Sequence, residues 1–139
     1  MKNKVSAATI IHYNGSVLIG HVTGQQNWDL PKGGVEVGES FLEGAIRECY
    51  EEFGIHLDPD NMVFVGQVYY NKKKDIAVFL YDMGEEYPTD RMNCCSYVNS
   101  NIDHPEIDQY IWVDKSRVLN YFSPVMRKCW EDNDFLSMI

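Results

Sequence analysis

The chain lacks any run approaching the ~20 apolar residues that cross a bilayer, so no membrane partner is expected. Positive charge is also scarce: 12 lysines and arginines stand against 21 aspartates and glutamates, a formal net charge of −9. General nucleic-acid binding, which rests on basic patches that neutralise phosphates, is thereby disfavoured. The four cysteines, Cys49, Cys94, Cys95 and Cys129, include no CxxC pair and no neighbouring histidine set. That pattern argues against a zinc site. Adjacent Cys94 and Cys95 would form a strained bridge, so free thiols in a reducing cytoplasm are the simpler reading. Residues 1–15 hold only a short apolar stretch, which reads as a strand rather than a secretion signal. No internal repeat, linker or low-complexity segment is visible, and 139 residues suit one domain, 1-139. With 45% hydrophobic and 13% aromatic residues, the chain is able to bury an ordinary core.

One stretch carries an unusual density of acid. Residues 33–55 read GGVEVGESFLEGAIRECYEEFGI. Ser40 with Glu43 forms an S-x-x-E capping box that starts a helix at Phe41. Gly54, just after Phe53, suits a left-handed C-cap. At about 100° per residue Glu48, Glu51 and Glu52 share one narrow face, with Leu42, Ala45, Ile46, Cys49 and Phe53 on the opposite side. Three carboxylates within one turn repel one another and forgo i,i+4 support. A bound divalent cation is the simplest compensation, because hard ions such as Mg²⁺ take carboxylate oxygens. The crowding also predicts a raised pKa for at least one carboxylate. Gly44 lies inside the helix on the acidic side, at a cost of ~1 kcal/mol against alanine. It leaves room there for a ligand, a loop or a helix-packing contact.

The remaining elements follow from local signals. Strands are expected over 5–13 and 16–22, joined at Asn14-Gly15, a strong hairpin dipeptide. A short extended segment covers 28–31. Strands follow at 62–70, 75–83 and 107–113, with a long polar loop over 84–104. Asp114 caps a short helix over 115–120, and Ser123-Pro124 opens a last helix running towards Phe135. The order is mixed α/β without the regular alternation of a doubly wound sheet.

Residues 33–55 also fill every fixed position of the pattern Gx5Ex7REUxEExGU, in which U is a bulky apolar residue. Gly33, Glu39, Arg47, Glu48, Cys49, Glu51, Glu52, Gly54 and Ile55 take the places in turn. In this the chain resembles the Nudix hydrolases. The resemblance implies a Nudix-type α/β/α sandwich around a mixed β-sheet and Mg²⁺-dependent hydrolysis of a pyrophosphate bond, with Mn²⁺ as the alternative ion. Glu48, Glu51 and Glu52 would hold metal or position water, with Glu52 foremost as a direct ligand and Glu48 either ligand or general base. Arg47 would orient the carboxylates by charge-assisted hydrogen bonds. Glu39 would brace the loop, and a carbonyl at Lys32 or Gly33 would complete the metal shell. Family members commonly add a distant glutamate from the loop before a late strand. Glu106, in HPEIDQYIW, matches that context as ligand or base, ahead of Glu85, Glu86, Asp103 and Asp108.

Residues outside the signature bear on the substrate. Lys32 reads as a phosphate contact, and Gly33 and Gly34 let a phosphate approach the backbone. The run WDLPKGGVEVGE looks like the dinucleoside polyphosphate hydrolases of the family. A diadenosine tetraphosphate-like substrate therefore leads, with nucleoside triphosphates, ADP-ribose, and capped or triphosphorylated RNA ends behind. Tyr69 or Tyr70 would stack on a base, or serve as core aromatics. Lys72, Lys73 and Lys74 read as a solvated hairpin tip or as further phosphate contacts. His21 takes a place where family members often carry a basic residue. A nucleotide-sensing module without catalysis is the alternative from another class; it has no need of three repelling carboxylates. The expected setting is cytoplasmic and the expected state a monomer or homodimer. Val125, Met126, Trp130, Phe135 and Leu136 would line either the core or a dimer contact.

Overall fold

A computed structural model describes residues 4–96 and 104–139. Its strands are β1 (Lys4–Tyr13), β2 (Ser16–Val22), β3 (Trp28–Asp29), β4 (Lys32–Gly34), β5 (Val63–Tyr69), β6 (Lys74–Asp82) and β7 (Ile107–Asp114). Two α-helices, α1 (Phe41–Phe53) and α2 (Pro124–Asn133), accompany them. All seven strands join one mixed sheet whose main path runs β3-β2-β1-β6-β5, with β4 on β1 and β7 on β2.

The β1–β2 hairpin turns at Asn14 (φ 50°) and Gly15 (φ 80°), the paired positive φ angles that an Asn-Gly turn supplies. β1 then pairs in parallel with β6 along most of its length, and antiparallel with β4 at residues 6–8 and β2 at residues 12–13. Both of its faces are covered, which is why its middle reads AATII without polar alternation. Ala8 and Ile10 pack in the cluster that holds Met126 and Trp130 of α2. Ala7 meets Ala45, and Ile11 joins Cys49 and Phe53, on the α1 side. The result is a helix on each face of a mixed sheet. Met126, Trp130 and Phe135 are fully buried core residues, Leu136 packs partly against them, and Val125 stays exposed.

Two local features go beyond the sequence reading and one expectation needs correction. β4 is a three-residue strand held by β1, more than twenty residues earlier, so no local periodicity announces it. The helix expected over 115–120 is only a 3₁₀ turn at Val118–Asn120: Asp114 does cap the stretch by accepting the Ser116 N–H at 2.9 Å, but the backbone bonds that follow span three residues, from Arg117 N to Asp114 O and from Tyr121 N to Val118 O. The last helix stops at Asn133, where Asp134 turns left-handed (φ 51°) and hands Phe135 to a 3₁₀ turn.

Helix α1 is fastened at both ends. At its start Ser40 Oγ accepts from Glu43 N at 3.0 Å while Ser40 N donates to Glu43 Oε1 at 2.9 Å, the complete capping box. A helix leaves its last four carbonyls without intrahelical partners, yet here all four are used. Gly54 N (φ 70°) donates to Tyr50 O at 2.9 Å, and Cys95 N to Glu51 O at 2.7 Å. Tyr110 Oη of β7 donates to Glu52 O at 2.6 Å and Asn93 N to Phe53 O at 3.2 Å. The described part of the long loop after β6 is thus not free: it lies against the end of α1 with Met92 buried in the core. Asp103 lies outside the described residues. Tyr110→Phe should cost roughly 1–2 kcal/mol by orphaning the Glu52 carbonyl, read as a lower urea midpoint with unchanged m-value. An unchanged midpoint would show that carbonyl finding another donor.

Candidate active site

The inward side of α1 is wider than its apolar stripe. Gly44, Ala45, Glu48, Cys49, Glu52 and Phe53 are all buried. The acidic face therefore adjoins the apolar face instead of opposing it, and two of the three carboxylates are turned into the protein. Glu48 is 9% exposed and Glu52 7%. Both lie against β4. Lys32 N donates to Glu52 Oε1 at 3.0 Å. A Cβ added at Gly33 would fall on the Glu48 carboxylate, so this position admits only glycine while that carboxylate stays in place. Gly34 is different: a Cβ there would meet nothing, and its carbonyl accepts from Arg47 Nη2 at 2.9 Å. Gly44 makes way for the loop before the helix, whose Glu39 Oε1 and Val35 Cγ2 lie 3.1 and 3.2 Å from where its Cβ would be.

Arg47 gathers the loop and the helix. Its Nε donates to Glu39 Oε2 at 2.8 Å and its Nη2 to Glu39 Oε1 at 3.1 Å, a forked pair. Nη1 reaches Glu51 Oε2 at 3.2 Å and stands 3.5 Å from Glu48 Oε2. Glu39 also accepts the Glu36 N–H at 3.0 Å, which fixes the loop turn. These bonds, that from Arg47 foremost, hold the Glu39 carboxyl below its usual range.

Burial has the opposite effect on the two inward carboxylates. It pushes Glu48 up to about 7, opposed by Arg47 and reinforced by Glu51 and Glu106. It pushes Glu52 up to about 9, opposed by the Lys32 N–H and reinforced by Glu48. The ordinary value for either group is 4.5. Desolvation, more than the crowding expected from the spacing, is the main cause.

The structure brings Glu106 to this place from β7's approach. With Asp29, Lys32, Glu52, Thr23 and Gln25 it lines a cleft of about 380 Å³. Lys32 Nζ lies 3.1 Å from Asp29 Oδ2 and 5.7 Å from the centroid of the Tyr70 ring. Burial works against its charge, but Asp29 and the other acidic neighbours more than offset this and hold its pKa above the usual lysine range. Tyr70 is a half-buried wall between Lys32 and Lys74, the latter 5.2 Å away and bonded to Ser6 Oγ at 3.0 Å. Lys72 and Lys73 are exposed, as is the ring of Tyr69. Among the weaker sequence candidates, Asp108 is taken by His21 Nδ1 at 2.6 Å. Glu86 lines a separate small pocket beside Trp112, and Glu85 is exposed. Asp29 and Thr23 were not foreseen. The D-x-x-K spacing could have suggested the Asp29–Lys32 pair, whereas nothing near Thr23 in sequence marks it.

The donor chemistry here is all oxygen, and two buried carboxylates stand unneutralised except by one backbone N–H and the edge of Arg47. That set fits a hard divalent cation. Among the described residues no three acidic, histidine or cysteine side chains form a ready cage; the carboxylates presently face Arg47 and Lys32 N. A consequence concerns stability without metal. Raised carboxyl pKa values mean that the folded state binds more protons than the unfolded one. Stability is then fully present below about pH 4.5 and is lost as pH rises through about 7 and 9. In metal-free protein Glu52→Gln should gain several kcal/mol over wild type at pH 9 and about 1 kcal/mol or less at pH 5. Urea unfolding in chelator checks this; parallel pH profiles would contradict it.

Comparison with known proteins bears on the family and the fold. The NUDIX domain family model matches residues 3–132. The chain is 29% identical to phosphatase NudJ of Escherichia coli K12 over 107 residues, 71% of this chain and 70% of that protein. Its fold is similar to the Ap4A hydrolase of C. elegans in a binary complex, with TM-score 0.67, 17% identity, and 96% and 99% of the two chains covered. It is also similar to a bifunctional NMN adenylyltransferase/ADP ribose pyrophosphatase of Francisella tularensis complexed with AMP and a Mn ion. There the TM-score is 0.69 and identity 16%, over 98% of this chain and 41% of that one. A family match over nearly the whole chain, on a mixed sheet between helices with the complete acidic signature in place, makes this protein a member of the Nudix hydrolase family.

Proposed function

We propose that the chain is a divalent-metal-dependent pyrophosphohydrolase of nucleoside diphosphate derivatives, with dinucleoside polyphosphates first among them and Mg²⁺ as the working ion. The observation that carries this reading is the burial of Glu48 and Glu52 beneath the Gly33 backbone, beside a cleft that Glu106 also lines. A binding module has no use for two desolvated carboxylates in that position, each of which destabilises the fold at neutral pH unless a cation or proton joins it. When bound, a divalent ion supplies charge neutralisation of the phosphates and a more acidic water.

The chain's own residues do the rest. Glu48, Glu51 and Glu52 are the residues that would hold the ion. Lys32 N keeps one Glu52 oxygen oriented, and Arg47 keeps the loop and helix in register through Glu39. Glu106 lines the same cleft and would serve as a further ligand or as proton acceptor from water. The Lys32 ammonium, steadied by Asp29, meets a phosphate oxygen at the cleft wall. Support for the dinucleoside class comes from the WDLPKGG run and from the fold shared with an Ap4A hydrolase. The exposed Tyr69 ring offers a stacking surface nearer to solvent than Tyr70.

A panel of nucleoside triphosphates, ADP-ribose, dinucleoside tetraphosphate and triphosphorylated RNA, with Mg²⁺ or Mn²⁺ and products read by mass, tests the reading. Dinucleoside tetraphosphate should be cleaved fastest. Glu52→Gln should lower turnover by about 10²–10³-fold or more while the protein stays folded. No cleavage anywhere on the panel would return the chain to the nucleotide-sensing alternative.

A further inference from the structure

Glu106 sits just before β7 in a segment that contributes little burial of its own, yet its backbone is gripped on every side. The peptide preceding it, Pro105–Glu106, is held at both ends: the Thr23 hydroxyl donates to Pro105 O, and Glu106 N donates to Ser96 O at 2.8 Å. The peptide following it, Glu106–Ile107, is held by Thr23 N, which donates to Glu106 O at 3.0 Å. With both flanking peptide planes fixed, the direction of the Glu106 Cα–Cβ bond is fixed as well. One residue, Thr23, supplies two of the three bonds.

The neighbouring contacts extend the same grip along β2. Val22 pairs with Ile107 at a register shift, and His21 Nδ1 meets Asp108 Oδ1 at 2.6 Å. Gly20 leaves space that Ile107 Cγ2 and the Phe53 ring occupy, since a Cβ there would lie 2.6 and 2.9 Å from them. Residues 20–23 of β2 and its exit thus form a track on which residues 105–108 lie. Thr23 and Glu106 both line the 380 Å³ cleft with Glu52.

We infer that Thr23 is the positioning residue that aims the Glu106 carboxylate into the cleft, through its hydrogen bonds to the two peptides flanking Glu106. Its hydroxyl is the specific element, because the N–H bond is available to any residue but proline. The inference rests on the hydrolase reading above. A carboxylate that accepts a proton or holds an ion must stand within a few tenths of an ångström of its working place, and a lone loop residue does not stay there unaided. Loss of the Thr23 hydroxyl should therefore lower kcat and leave KM for the nucleotide nearly unchanged.

The test compares Thr23→Val, Thr23→Ser, Glu106→Gln and the double variant Thr23→Val/Glu106→Gln against wild type, using dinucleoside tetraphosphate with Mg²⁺. Thr23→Val should lose about 10-fold or more in kcat with KM within twofold, and Thr23→Ser should recover most of it. In the double variant the Thr23→Val loss should vanish, because a residue acting through Glu106 has nothing to position once that carboxylate is gone. A readout independent of turnover is amide exchange of Glu106 N–H, which should quicken in Thr23→Val and return to the wild-type rate in Thr23→Ser. Independent, multiplicative losses in the double variant, or unchanged kcat in Thr23→Val, would overturn the assignment of Thr23. Absence of hydrolysis by wild type would instead overturn the activity itself, while the exchange measurement would still decide the positioning.

Discussion

Two carboxylates buried against a strand backbone set the terms for the rest of the molecule. Glu48 and Glu52 leave water on the inward side of α1, and desolvation raises the pKa of both. Such groups are tolerated only where the surroundings hold them in place and something neutralises them. Gly33 provides the space, Lys32 N provides one hydrogen bond, and Arg47 ties the loop to the helix from the other side. The helix itself is fixed by four satisfied carbonyls at its end, one of them on Glu52. Stability is spent here to keep a desolvated pocket of oxygen donors ready, which is the pattern expected where local cost serves chemistry.

Much of this was legible in the sequence because the signals were local. The Asn-Gly turn, the Ser40–Glu43 capping box and the Gly54 cap each depend on residues a few positions apart, and each stands where its spacing puts it. The fold class follows from the same signature, whose family match spans residues 3–132. Features made by distant residues were not legible. β4 exists only through β1, and the inward turn of Glu48 and Glu52 depends on Gly33 lying over the helix. A helical wheel places the carboxylates on a face but does not say what that face meets. The sequence also left Gly44 open between ligand, loop and helix packing; Glu39 and Val35 decide for the loop.

Other positions changed meaning once their neighbours were known. Lys32, read from the sequence as a phosphate contact, is also paired with Asp29 and lies near the Tyr70 ring. The three hairpin lysines divide into two exposed side chains and a half-buried Lys74 bonded to Ser6. The C-terminal apolar residues are core, apart from Val125. Thr23, which reads as ordinary turn material, becomes informative only when Pro105 and Glu106 are seen beside it. Under the proposed activity, a chain of net charge −9 has to meet a phosphate-bearing substrate through a small number of placed groups, because the long-range field of an acidic surface works against the approach.

The central claim is that Glu48 and Glu52 are buried for the sake of a divalent cation. Infrared difference spectroscopy of metal-free protein at neutral pH, titrated with Mg²⁺, tests it directly. A protonated carboxyl stretch should be present before addition, disappear as Mg²⁺ binds and a carboxylate takes its place, and be weaker in Glu52→Gln, where only the partly protonated Glu48 contributes. A carboxyl band that persists unchanged at saturating Mg²⁺ would contradict the account.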